Sequence, residues 1–299
     1  MNYGRITKYL IFAAAGLGAF SRLEASTSNA GNMNGPSIGP ASDEELTISL
    51  IGVPEAYQLL RDRGYSKCSL SEVDRSVTLS YIGSTDHQLL ACLSRLPALV
   101  PAGGEFTLNM SSFGGDAISA ALAGLYLSNF RATVVVDGPC FSSCANYVAT
   151  AAKRLVVKPY SFLGLHGAPM QFTAANAKKL EDSIMADPTV SDERKSGRIR
   201  ASLDAAKKAS DVHLLAKQAL NVGSQWYELN LIVPRAQTGA ATNMIFIPSE
   251  DMTAKCLKGL EQLSFWEWSS DTDREAFRKF FPGESRFVYV NLEGQGTCN

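Results

Sequence analysis

The chain has 299 residues, of which 28 are basic and 29 acidic, for a formal net charge of −1. That balance removes the electrostatic ground for expecting a nucleic acid or an anionic surface as partner. With 45% hydrophobic residues the composition is ordinarily globular, and the length suffices for one large domain or two small ones.

Arg5 and Lys8 precede an apolar run over residues 9–20, and the small residues Ala25 and Ala30 follow. A positive n-region, a short apolar h-region and a small-residue cleavage zone form the pattern of an export signal. The run falls short of the roughly 20 apolar residues a bilayer span needs. The expectation is an exported chain, periplasmic or secreted, that loses residues 1–25 by cleavage at about 25–30 and has no stable membrane insertion afterwards. An uncleaved anchor and a buried first helix are the competing readings. Residues 26–45 are rich in Ser, Asn, Gly and Pro without apolar periodicity and read as a linker. Residues 46–299 then form a single α/β domain with a helical segment at 171–230.

Within that domain the pattern predicts a strand at 46–53, a short helix at 55–63, a period-two strand at 75–82 and a helix at 87–96 with Leu89, Leu90, Leu93 and Leu96 on one face. A strand at 105–110 follows and breaks at Gly114-Gly115, then a helix at 116–129 and a β-branched strand at 132–137 that ends in Gly138-Pro139. A small-residue helix at 144–153 leads to strands at 155–158 and 162–166. Strands alternating with helices of this length imply βαβ units and a mainly parallel sheet. Residues 174–229 read as helical and charged, with breaks at Asp187-Pro188 and at 221–223; a solvated helix face is the plain reading and a lid or oligomer contact the functional one. A strand at 244–248, a helix at 250–263 and a strand at 286–292 complete the chain.

The stretch from Glu105 to Pro169 holds the chemistry. In a parallel sheet, reactive groups gather at the carboxyl ends of the strands, where the Gly-Gly break and the cluster Cys140-Phe141-Ser142-Ser143-Cys144 both fall. Ser142 stands where a strand gives way to a helix, so free N–H groups favour negative charge beside it. Gly115 and Ser143 are the candidate backbone donors of an oxyanion hole. A serine hydroxyl needs a base within hydrogen-bond reach. Of the three histidines, His87 opens a helix and His213 lies in an apolar-periodic helix as a surface or half-buried residue. His166, between Gly164 and Gly167, is placed to meet Ser142. Ser143 as nucleophile and a thiol reading through Cys140 or Cys144 are alternatives. The Gly-x-Ser-x-Gly elbow and the dinucleotide fingerprint are both absent, and no cofactor or metal is expected. The Cys140-x3-Cys144 pair lacks a second closely spaced pair for zinc. The six cysteines, 68, 92, 140, 144, 256 and 298, allow disulfides of unassigned connectivity.

Taken together, these motifs resemble the Clp protease proteolytic subunit family, within the ClpP/crotonase fold. That family's Asn-Ser-Pro-Gly-Gly-like turn is matched by residues 111–115, its Gly-x-Ala-x-Ser-like nucleophile turn by residues 138–142, and its apolar-His segment by Gly164-Leu165-His166. The Cys-x-Ser-x-Cys pattern looks like that of exported bacterial ClpP-like proteins. The resemblance covers residues 75–170 well and 171–260 loosely. It implies a spiral of βαβ units and serine peptidase chemistry: Ser142 attacks a peptide carbonyl, His166 moves the proton, and the Gly115 and Ser143 amides hold the oxyanion. Two departures stand out. Phe113 replaces the turn's proline, and no acid precedes residues 246–251, the nearest match to the segment that follows the family's aspartate. Asn243, Asp251 or no residue at all is left as the third member. The expectation is an exported serine endopeptidase acting on a peptide or protein, with a homo-oligomer allowed. The alternatives are a non-catalytic binding protein on the same fold and a crotonase-type acyl enzyme.

Overall fold

Alternation of apolar and polar residues sets up the central sheet. In a computed structural model, which describes residues 59–60, 65–169, 171–228, 244–267, 286–290 and 298, the strand β2 (Ser76–Ile82) buries Val77, Leu79 and Tyr81 on one face. Strand β3 (Glu105–Ser112) does the same with Phe106, Leu108 and Met110, and β4 (Arg131–Phe141) with Ala132, Val134 and Val136. Register then lines these residues up: Leu79, Leu108, Val134, Leu155 and Leu263 sit side by side across β2, β3, β4, β5 (Arg154–Val157) and β8 (Gln262–Phe265). The first four are fully shielded from solvent. Each such side chain contributes about 1.5–3 kcal/mol relative to exposure.

The sheet order is β1-β2-β3-β4-β5-β8, with β6 (Phe162–Gly164) also paired to β4. All of these pairs are parallel except β1 (Lys67–Val73) with β2. The fold is thus a mixed α/β arrangement with a mostly parallel sheet. β1 was not expected, because its residues are largely exposed and its apolar alternation is limited to Cys68 and Leu70. A tight turn through Asp74 and Arg75, both at positive φ, closes that hairpin, and a Cys68–Cys92 disulfide ties it to α1 (His87–Leu93).

Several helices begin where side chains cap them. Asp86 accepts the Gln88 N–H at the start of α1, and Asp116 accepts the Ser119 N–H at 2.7 Å at the start of α2 (Ala117–Leu127). Leu89 and Leu93 from α1, and Ala120, Ala123 and Leu127 from α2, join the core of the sheet. Beyond the sheet come α3 (Ala174–Ala186), α4 (Asp192–Leu220) and α5 (Ser224–Tyr227), broken near the two positions expected. Asn221, in the left-handed conformation at φ 53°, ends α4. Strand β7 (Met244–Pro248) pairs in parallel with β9 (Arg286–Val290) in a separate sheet.

Three expectations are corrected. The strand ending at Gly138-Pro139 continues to Phe141, because the Gly138 N–H bonds to the Ser161 hydroxyl at 2.7 Å and β4 resumes beyond it against β6. The helix at 250–263 stops early, as α6 (Glu250–Cys256), and the chain re-enters the main sheet as β8. The helix at 144–153 is instead a π turn at Cys144–Val148 followed by a 3-10 turn at Ala149–Ala151. The expected signal segment, the linker and the strand at 46–53 lie outside the described residues, as does nearly all of the short helix after it.

Candidate active site

Three neighbouring strands deliver the candidate residues to one edge. Ser112 on β3 pairs with Cys140 on β4, and Cys140 pairs with Leu163 on β6. Two and three residues further on, the same three chains reach Gly114 and Gly115, Ser142 and Ser143, and Leu165 and His166. The parallel sheet therefore converges on one place sequences separated by dozens of residues.

His166 Nε2 and Ser142 Oγ lie 2.6 Å apart, within hydrogen-bond reach. Among the described residues Ser142 is one of the few non-glycine residues in the left-handed region, at φ 57°, a conformation that costs on the order of 1–3 kcal/mol when the surroundings enforce it. Those surroundings are specific. The Ser142 N–H donates to the Gly164 carbonyl at 2.7 Å, and the Ser142 carbonyl accepts from the Asn146 N–H at 2.9 Å. A disulfide joins Cys140 to Cys144, both fully buried, across this corner. That bond consumes both thiols, so neither the thiol-nucleophile reading nor a zinc pair at these cysteines stands. Phe141 packs its ring beside His166, with centroids 5.2 Å apart. Gly164 leaves room for that ring: a Cβ there would come within 2.3 Å of Phe141 Cδ2.

The Gly-Gly loop is held from below. Gly114 O accepts from the Thr85 N–H at 3.0 Å and the Ser84 hydroxyl at 3.1 Å. Tyr81 fixes that support by donating to Ser84 O at 2.6 Å, and burial pushes its phenol well above the usual range. A trans peptide presents its N–H opposite its carbonyl, so the Gly115 N–H faces away from the Ser84–Thr85 corner. Gly114, at φ 91°, backs directly onto the nucleophile turn; a Cβ there would lie 2.7 Å from Ser142 Cβ and 2.8 Å from the Phe141 carbonyl. Among the described residues neither the Gly115 nor the Ser143 amide is hydrogen-bonded to a backbone carbonyl.

Ser143 is buried and its hydroxyl is committed elsewhere: it meets Thr85 Oγ1 at 2.6 Å and donates to Gly115 O at 3.3 Å. That engagement favours Ser142 over Ser143 as the reactive hydroxyl. It also ties Gly115 and Ser143 to Thr85, a residue whose role the sequence does not announce. Thr85 follows an apolar strand as an unremarkable polar residue, and only the fold brings it against residue 143. The π turn after Ser143 is five residues long. A helix dipole expected from a longer helix is correspondingly small, and anion stabilisation rests on the individual amides.

Asp251, one of the two residues considered as a third member, lies on α6 in an exposed ion pair with Lys255 Nζ at 2.7 Å. The other, Asn243, lies outside the described residues. Among the described residues no carboxylate is hydrogen-bonded to His166. Leu165, the residue before it, exchanges backbone bonds of 2.8 and 2.7 Å with Phe246 of β7, which seats the C-terminal sheet against the His166 strand. His213, expected at the surface or half-buried, is instead buried, with Nδ1 2.9 Å from the Tyr147 hydroxyl and its ring edge-on to Tyr227. It belongs to the packing behind the nucleophile turn rather than to the site. Among the described residues no cluster of His, Cys, Asp and Glu could hold a metal ion, and no helix is long and apolar enough to cross a membrane. No protein-family model matches this chain, and no curated protein matches it significantly.

Proposed function

We propose that this chain is a serine endopeptidase of the ClpP-like type, with the ClpP/crotonase arrangement of βαβ units around its sheet. The observation that carries the reading is the 2.6 Å approach of His166 Nε2 to the hydroxyl of a serine held in a left-handed corner. The two amides beside it, Gly115 and Ser143, support the same reading. A strained turn from strand into helix is also how α/β-hydrolases present their nucleophilic serine.

In this mechanism the Ser142 Oγ attacks the scissile carbonyl carbon while His166 Nε2 takes the hydroxyl proton. The carbonyl oxygen gains negative charge and is stabilised by the Gly115 and Ser143 N–H groups; one such donor is worth on the order of 3–4 kcal/mol. His166 then gives its proton to the leaving amine, and the acyl group remains on Ser142. A water activated by the same imidazole attacks the acyl carbon, Oγ leaves with the returned proton, and the acid product departs. With Asp251 paired to Lys255, the reading rests on the Ser142–His166 pair itself. Three disulfides, Cys68–Cys92, Cys140–Cys144 and Cys256–Cys298, fit an exported chain folding in an oxidising compartment.

The test is fluorophosphonate labelling together with casein or peptide turnover. Labelling is expected in the wild type and in Ser143→Ala, and is expected to vanish in Ser142→Ala and fall steeply in His166→Ala. A correctly folded protein that takes no label would overturn the reading and leave a non-catalytic binding role on the same scaffold. Label without cleavage of any peptide, but with thioester turnover, would favour a crotonase-type acyl enzyme.

A further inference from the structure

Asn146 lies in the turn directly after the nucleophile and reaches the loop that carries the base. Its backbone N–H donates to the Ser142 carbonyl at 2.9 Å, and its side-chain Nδ2 donates to the Gly167 carbonyl at 2.7 Å. The partner dictates the amide's orientation: a carbonyl only accepts, so the atom facing it is the nitrogen. From behind, the Asn146 carbonyl accepts from Thr150 Oγ1 at 2.8 Å and from the Tyr227 hydroxyl at 3.2 Å, which fixes the residue in place. The side chain is buried, and among the described residues its Oδ1 has no hydrogen-bond partner. A buried amide with one end unpaired is unfavourable as mere core filling, where an apolar residue would cost less. Among the described residues the one bond this side chain makes goes to the residue after His166.

Among the described residues the His166 loop has few other hydrogen bonds. Leu165 is bonded to Phe246 on both sides, after which the chain leaves the sheet; His166 is exposed and Gly167 turns at φ 109°. Asp251, the candidate acid that the structure describes, is paired to Lys255 instead.

We propose that Asn146 is a positioning residue for the Ser142–His166 pair. By fastening the Gly167 carbonyl to the turn that begins with the nucleophile, it sets the reach of the imidazole to Oγ. In a triad that duty falls to an acid bonded to the imidazole; here a side-chain amide performs it through the backbone. The inference rests on the Ser-His reading above. A displacement of about 1 Å at a reacting group costs on the order of 100-fold in rate, so a loosened loop is visible in kinetics.

The experiment compares full-length wild type, Asn146→Ala and Asn146→Asp. It measures the fluorophosphonate labelling rate from pH 5 to 9, the 15N imidazole spectrum of His166, and Tm. Asn146→Ala is expected to label about 10–100-fold more slowly, with the His166 signals displaced or broadened. Burial at this position raises a carboxyl above its ordinary range, so Asn146→Asp carries a donor to Gly167 only toward the acidic end of the series, where it holds a proton. Its rate relative to wild type is therefore expected to recover as pH falls and to collapse as pH rises. A general packing defect would lower that ratio equally at every pH, which would overturn the proposal, as would labelling of both variants within two-fold of wild type. If Asn146→Ala does not fold, the pH course of Asn146→Asp decides. Should the folded wild type take no label, the peptidase reading fails by itself and the imidazole spectrum still judges the clasp. His166 signals unchanged in Asn146→Ala overturn it, and displaced signals uphold it.

Discussion

Ser142 is costly to hold and is held from every side: by the Gly164 carbonyl, by Asn146, by a disulfide across residues 140 and 144, and by Gly114 pressed against its Cβ. Gly114 is the most restrictive of these neighbours. Its φ of 91° and the 2.7 Å space against Ser142 Cβ exclude any side chain. Gly114→Ala is therefore expected to lower Ser142 labelling by on the order of 100-fold, the scale of a lost oxyanion donor, because the loop must withdraw and take the Gly115 amide with it. The check is the labelling rate at matched folded fraction; a change under three-fold would show that the loop is not part of the site. Ser143 makes the complementary case. Its hydroxyl is spent on Thr85 and Gly115, so Ser143→Ala is expected to keep the label on Ser142 while weakening the hold on the Gly115 peptide.

At the scale of elements, the nucleophile turn rests on α4 through His213, which sits between Tyr147 and Tyr227 with Lys217 nearby. Burial, with a smaller push from Lys217, holds the imidazole down to about 4 from an ordinary 6.5. The unfolded chain therefore takes up a proton at His213 near pH 6.5 while the folded chain does not until about pH 4. The stability associated with the neutral ring is fully present above pH 6.5 and is lost as pH falls toward 4. Between pH 7 and 4.5 that loss amounts to roughly 2–3 kcal/mol. Urea unfolding of wild type and His213→Gln at those two pH values is expected to show a shallower pH dependence in the variant by about that amount; parallel curves would refute it. The strands around these elements were legible because apolar alternation in β2, β3 and β4 is what burial on one sheet face demands. Gly138 misled, because it carries an irregularity rather than an end and the strand continues past it to Phe141. β1 and β8 were illegible, since each alternates over only two apolar residues, Cys68 and Leu70 in one and Leu263 and Phe265 in the other, too short a period to read. Ser142 and His166 were legible through their glycine-flanked setting at strand ends. Thr85 and Asn146 were not, because a lone polar residue shows its partner only once the chain has folded.

At the scale of the whole molecule, all six cysteines are paired, and the three bonds act differently. Cys68–Cys92 and Cys256–Cys298 have sequence separations of 24 and 42 residues, whereas Cys140 and Cys144 are separated by 4. In the chain-entropy account the two longer loops contribute about 3–4 kcal/mol each, and a short one contributes less. Cys256–Cys298 also anchors the segment around Gly223, whose N–H bonds to the Cys256 carbonyl at 2.9 Å. Replacing Cys256 and Cys298 by alanine together is expected to lower the unfolding free energy by about 3–4 kcal/mol while leaving the labelling rate of the folded protein unchanged. A stability loss below 1 kcal/mol would contradict it. The central claim concerns one hydroxyl, and the most direct measurement is peptide mapping by mass spectrometry of the folded, disulfide-intact protein after fluorophosphonate treatment. The account predicts a single adduct per chain, on Ser142, its yield falling steeply when His166 is replaced by alanine. An adduct on any other serine, or none at all, would contradict it.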